Sequence, residues 1–98
     1  MTGLDPVIHA ATRLRIVAAL NALEPGDKVA FSALQKMLGL TVGNLSVHLT
    51  KLEAAGYLTI DKTFEGRKPA TYAGLTAQGR AAFEQYLTDL KALLGETP

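Results

Sequence analysis

The chain has no cysteine, which excludes disulfides, thiolate metal sites and thiol nucleophiles together. Histidine is almost as scarce. His9 and His48 are the two present, and without a clustered set of carboxylates they form no metal or acid–base site. Neither a glycine-rich phosphate loop nor a nucleophile motif occurs. The expectation is therefore no enzyme, no metal and no cofactor. No apolar run is long enough to cross a bilayer and the N-terminus lacks a signal-peptide pattern, so the expected address is cytoplasmic, with no membrane partner. Bulk charge says little, at +1 overall.

What the chain does have is apolar residues, 48% of 98. That is enough for one domain over residues 1–98 around one core, small enough to gain from oligomerisation.

The richest stretch runs from Thr41 to Ile60. Leu45, Leu49 and Leu52 recur at i, i+4 and i+7, the spacing of one buried helix face. The other face carries Gly43, Asn44, Ser46, Val47 and Thr50, with Lys51 at its edge. These are small or short polar groups, the surface a helix needs in a major groove roughly 12 Å wide. Thr41 is the expected N-cap, and Gly56 the stop, followed by the β-prone run Tyr57-Leu58-Thr59-Ile60. Upstream, Ser32-Ala33-Leu34-Gln35 has the form of a capping box, predicting a helix from Ala33 to Leu38. Gly39-Leu40-Thr41 then makes a three-residue corner. The result is a helix-turn-helix over about residues 32–55.

Two strands joined by the polar loop Asp61–Pro69 follow, giving a hairpin over about residues 57–75. Lys62, Arg67 and Lys68 concentrate positive charge there, within reach of backbone phosphate or a narrow minor groove. Taken alone, such a loop reads as a solvated surface sooner than as a DNA contact; its position directly after a recognition-type helix reverses that preference.

These motifs, in this order, resemble the small winged helix-turn-helix transcriptional regulators of bacteria and archaea, of the MarR and ArsR types. The resemblance spans about Leu4 to Leu94. It is carried by Leu4-Asp5-Pro6, Thr12-Arg13-Leu14-Arg15-Ile16, Gly43-Asn44-Leu45-Ser46, His48-Leu49, Leu52-Glu53-Ala54-Ala55-Gly56-Tyr57, Lys62-Thr63-Phe64-Glu65-Gly66-Arg67, Leu75-Thr76 and Gly79-Arg80. It implies a homodimer that binds double-stranded operator DNA and regulates transcription. Ala11 departs from the pattern, standing where a proline is common and leaving the break in the first helix open. The chain also ends soon after its last helix, leaving no room for a separate effector domain.

The fold expected is mainly α with a small antiparallel β-hairpin, its N- and C-terminal helices forming a dimer interface. Asp5-Pro6 reads as a helix start, and Thr76 as the cap of a final helix over about residues 77–94. Phe83, Tyr86, Leu87, Leu90, Leu93 and Leu94 cover an arc of roughly 140° on that helix, against the ~100° that packing on one core requires. The excess covers either the hairpin or a partner. The partner reading places Leu4, Val7, Ile8, Leu14, Tyr86, Leu90, Leu93 and Leu94 at a two-fold interface and the recognition helices about 34–36 Å apart.

Charge is distributed to match. From Lys28 to Arg80 there are seven basic residues against three acidic ones, while Asp5, Glu24, Asp27, Glu84, Asp89 and Glu96 lie outside.

The expected DNA contacts are Thr41, Gly43, Asn44, Ser46, Val47, Thr50, Lys51, Lys62, Arg67 and Lys68. Asn44 suits an adenine edge, Ser46 and Thr50 bases or phosphates, Val47 a thymine methyl, and Lys51 phosphate. His48 reads as a packed histidine with its polar edge satisfied. Repression is the expected sign. An effector pocket lined by Tyr86, Leu90 and the first helix is left open, and a protein-interaction module without specific DNA binding is the alternative.

Overall fold

The computed structural model describes residues 3–95, so Glu96 lies outside it. Four helices and three strands follow in the order α1 (Ala11–Asn21), β1 (Lys28–Ala30), α2 (Phe31–Leu38), α3 (Val42–Ala54), β2 (Leu58–Glu65), β3 (Lys68–Leu75) and α4 (Ala77–Leu93). The sheet is antiparallel in the order β1-β3-β2. Ile16, Val17 and Leu20 of α1, Leu34 of α2 and Leu45, Leu49 and Leu52 of α3 enter one core. Leu58, Ala73 and Leu75 from the sheet and Phe83 and Tyr86 from α4 complete it.

The helix ends follow local chemistry. The Thr41 hydroxyl accepts from the Asn44 amide at 3.1 Å, starting α3 as expected. Thr76 does the same for Gly79 at 2.9 Å, starting α4. Gly39, at φ 67°, closes α2 in the left-handed conformation open to glycine. Between Gly56 and Gly79 the elements are knotted. The Thr76 hydroxyl donates to the Gly56 carbonyl at 2.7 Å and the Thr76 amide to the Tyr57 carbonyl at 3.0 Å. A Cβ on Gly79 would fall 2.2 Å from that same Tyr57 oxygen, so only glycine lets α4 pass this close to the root of the hairpin.

Four expectations need correction. Asp5-Pro6 does not start the first helix. The Asp5 carboxylate accepts from the Val7 amide at 2.8 Å in an isolated turn, and α1 begins at Ala11 after the extended Ala10 (φ −145°, ψ 128°). On one straight helix, at about 100° per residue, Ile8 and Val17 would point to opposite sides. Both are fully buried, which the break permits.

The Ser32–Gln35 capping box is not formed either. The chain enters α2 directly from β1, with Ala30 as N-cap and no side-chain cap bond. The hairpin is joined by a third strand, β1, Lys28 lying opposite Gly74 and Ala30 opposite Tyr72. Finally, Ile8 (0% exposed) and Tyr86 (2%) are consumed by the chain's own core and offer a partner no side-chain surface.

Candidate nucleic-acid interface

The apolar stripe of α3 turns inward and leaves Thr41, Val42, Gly43, Asn44, Ser46, Val47, Thr50 and Lys51 exposed on a continuous outer surface. The helix is 13 residues long, about 20 Å. Two arginines hold it and its partner helix in place. Arg15 of α1 donates to the last carbonyl of α2, that of Leu38, at 2.8 Å, satisfying a helix-end acceptor. Arg13 donates through Nε to the Val7 carbonyl at 2.6 Å and through Nη1 to Nδ1 of His48 at 3.2 Å.

A guanidinium can only donate, so His48 accepts at Nδ1 and carries its proton on Nε2. Burial first, then the Arg13 and Lys51 charges, hold its pKa below the ordinary 6.5. His48 is thus the half-buried, satisfied histidine the sequence suggested.

Among the expected contacts, Thr50 has a narrowed role. Its hydroxyl donates to the Ser46 carbonyl at 2.9 Å. While that bond holds, Thr50 can accept from a base amino group but cannot donate to phosphate.

The wing stands beside this helix. Its strands close through Gly66 (φ 64°) and Arg67, the latter at negative φ, the sign pattern of a type II′ hairpin turn. Arg67 is therefore at the tip, flanked by exposed Lys62 and Lys68. A groove of about 380 Å³ runs between α3 and the wing, lined by Val42, Ser46 and Thr50 on one wall and by Ile60, Lys62 and Thr71 on the other. The groove thus brings Ser46 and Thr50 of α3 against Lys62 of the wing, whereas Lys51 lies on another side of α3 beside Pro6, Val7 and Arg13, and Lys68 stands opposite Glu65 on the other face of the hairpin.

Lys28 and Arg80, counted among the basic residues over Lys28–Arg80, are engaged elsewhere. Lys28 is paired with Asp61 across the sheet. Arg80 donates to the backbone carbonyl and side-chain oxygen of Asn21, both at 3.0 Å, and to the Leu23 carbonyl at 3.3 Å. It closes the C-terminal end of α1, where a cation also complements the helix dipole.

Some residues of the face escaped sequence reasoning. Val42, 59% exposed, extends the apolar contact offered by Val47, and Met37, at 62%, stands on the neighbouring helix. Phe64 on the wing is 69% exposed. Helical spacing sets Val42 beside the Leu45-Leu49-Leu52 stripe, so nothing in the periodicity marks it as exposed, and Phe64 lies within the stretch that reads as the polar loop Asp61–Pro69.

Away from the face, Leu93 and Leu94 near the C-terminal end of α4 are 60% and 67% exposed. Leu4, Val7, Leu14 and Leu90 are partly buried against the core. No group of three or more metal-ligating side chains occurs among the described residues, and no helix there is long and apolar enough to cross a membrane.

Comparison with known proteins agrees with this geometry. The profile of a family described as winged helix DNA-binding domain matches residues 12–94. The uncharacterized protein MJ0432 of Methanocaldococcus jannaschii is 33% identical over 87 residues, covering 89% of this chain and 91% of that protein. A solved transcriptional regulator homologue from Pyrococcus horikoshii OT3 superposes with a TM-score of 0.81 at 32% identity, over 91% of this chain and 85% of its own. Streptococcus pneumoniae FabT, solved in complex with DNA, shares the fold at a TM-score of 0.59 and 20% identity, over 91% of this chain and 64% of that one.

Proposed function

The chain belongs to the winged helix DNA-binding domain family, and from that premise we propose that it is a homodimeric, sequence-specific regulator of transcription acting as a repressor in the cytoplasm. The observation that carries the reading is the groove in which Ser46 and Thr50, on the exposed polar side of α3, face Lys62 of the wing. In this proposal α3 enters the major groove and the wing meets backbone or minor groove. Asn44 pairs with an adenine edge, Val47 packs on a thymine methyl, Thr41 and Ser46 bond bases or phosphates, and Gly43 lets the helix backbone come close. Lys51, Lys62, Arg67 and Lys68 neutralise phosphate. That FabT, which shares the fold, was solved in complex with DNA supports DNA as the partner.

Dimerisation is supported by the exposed end of α4. Leu93 and Leu94 put a contiguous apolar pair in water, beside the half-buried Leu90, a pattern that a second copy would cover. Repression is inferred because the α3–wing face and this apolar end leave little surface for contacting polymerase.

The test is selection from a random duplex pool at moderate salt. Enrichment of a two-fold symmetric site, with half-sites about one helical turn apart, is the expected result. Asn44→Ala should then relax preference at one position, while Lys51→Ala weakens operator and random DNA alike. Absence of any enriched site would defeat the reading.

A further inference from the structure

We propose that Phe64 is an apolar wedge that the wing inserts between base steps of the minor groove, selecting flanking sequence that yields to it. This inference rests on the DNA-binding reading above. Phe64 is the most exposed of the large hydrophobic residues, at 69%, and its direction follows from the strand register. Alternate residues of a strand share a face, so Leu58, Ile60, Lys62 and Phe64 lie together, opposite Leu75, Ala73, Thr71 and Pro69 in turn. The root of that face is core, Leu58 being 3% and Ala73 1% exposed. Its middle carries Lys62, which lines the groove with Ser46 and Thr50 of the recognition helix. Phe64 is the next residue on the same face, about 7 Å further out. It therefore projects from the helix side of the wing with most of its ring in solvent.

The surroundings specify the partner. Lys62 on the same face and Arg67 at the tip are exposed beside Phe64. The acid of the tip, Glu65, and its cross-strand partner Lys68 both fall on the opposite face by strand alternation. An apolar plug in a collar of two cations complements a groove with phosphate walls and a floor of stacked bases. Phenylalanine is among the side chains that partly unstack base steps from the minor groove, and pyrimidine–purine steps yield at least cost. An apolar protein partner would have no use for the collar.

The experiment compares the wild type with Phe64→Ala, Phe64→Leu and Arg67→Ala on the selected duplex. It measures affinity across a salt series, DNA bend by energy transfer between end labels, and fluorescence of 2-aminopurine at the wing-side step. Phe64→Ala is expected to lose roughly tenfold in affinity, in the range of other base–aromatic contacts. Its salt slope should be unchanged, with a smaller bend, no 2-aminopurine signal and an unaltered melting temperature. Phe64→Leu should retain most of the affinity and bend, whereas Arg67→Ala should lower the salt slope by about one.

A wild type that binds and bends its duplex no better than Phe64→Ala overturns the wedge and leaves the DNA reading standing. So does a Phe64→Ala loss traced by sedimentation to a weakened dimer, which would make Phe64 a protein contact. A wild type with no preferred duplex removes both readings together.

Discussion

At the scale of single residues, the tightest constraint on this chain is Gly79. Its backbone passes so close to the Tyr57 carbonyl that a methyl group has no room, and the obstruction is backbone, which cannot turn aside as a side chain would. Gly79→Ala should cost about 3 kcal/mol, the upper part of the range for overpacking, and lower the melting temperature by roughly 15 °C for a domain of this size. A thermal melt checks it.

Tyr57 itself supplies a pH signature. Its phenol donates to the Asp5 carboxylate. That bond, then burial, then the Asp5 charge push its pKa up to about 12 from 10.0. The folded chain thus holds this proton more tightly than the unfolded one, and the contribution is complete below about pH 10 and lost as pH rises through about 12. The stability gap between wild type and Tyr57→Phe, followed by chemical denaturation, should be flat in neutral solution and narrow across that alkaline window. A gap that stays constant would show that the phenol carries no such shift.

At the scale of elements, Arg80 joins α4 to the end of α1 with a planar fork that meets three oxygens at once. Arg80→Ala leaves those carbonyls without their charged partner and should cost about 2 kcal/mol. Arg80→Lys should recover little of this because a point charge cannot span the fork. Neither change should alter the salt slope of DNA binding, which separates Arg80 from the wing arginine in one titration.

The same residue shows what sequence can disclose. Thr41, Gly56 and Thr76 announce helix ends because their capping partners are a few positions away. The exposed face of α3 is legible because helical periodicity sends Leu45, Leu49 and Leu52 the other way. The use of Arg80 and Lys28 is not legible, because each is claimed by a partner far along the chain, Asn21 and Asp61. For the same reason β1 escaped notice. Three residues carry no readable alternation, and the strand exists only through its pairing with β3. Phe64 was hidden for another reason: Asp61–Pro69 reads as a polar loop, whereas β2 runs on to Glu65 and β3 starts at Lys68, and only that register puts Phe64 on the face of Leu58, Ile60 and Lys62.

At the scale of the whole molecule, the chain is elongated, with extents of 52 × 25 × 22 Å and a radius of gyration of 14.3 Å, against about 13 Å for a compact domain of similar length. The exposed leucines near the end of α4 give the proposed dimer a direct test. The double change Leu93→Glu with Leu94→Glu alters no core residue, so the variant should still unfold cooperatively, with a melt that no longer depends on protein concentration, while light scattering reports a monomer and cooperative operator binding is lost. A dimer that survives the two charges would place the interface elsewhere.

The junction of Gly56, Tyr57, Thr76 and Gly79 bears on how such a dimer measures DNA. The end of the recognition helix, the root of the wing and the start of α4 meet there within hydrogen-bond distance, so the three cannot swing independently. In the proposed dimer each half would be a stiff caliper arm, with its one free joint where the two copies meet. A single base pair inserted between half-sites shifts one arm's target along and around the duplex at once, and a one-jointed caliper cannot follow both motions; tolerance for spacer length should therefore be abrupt.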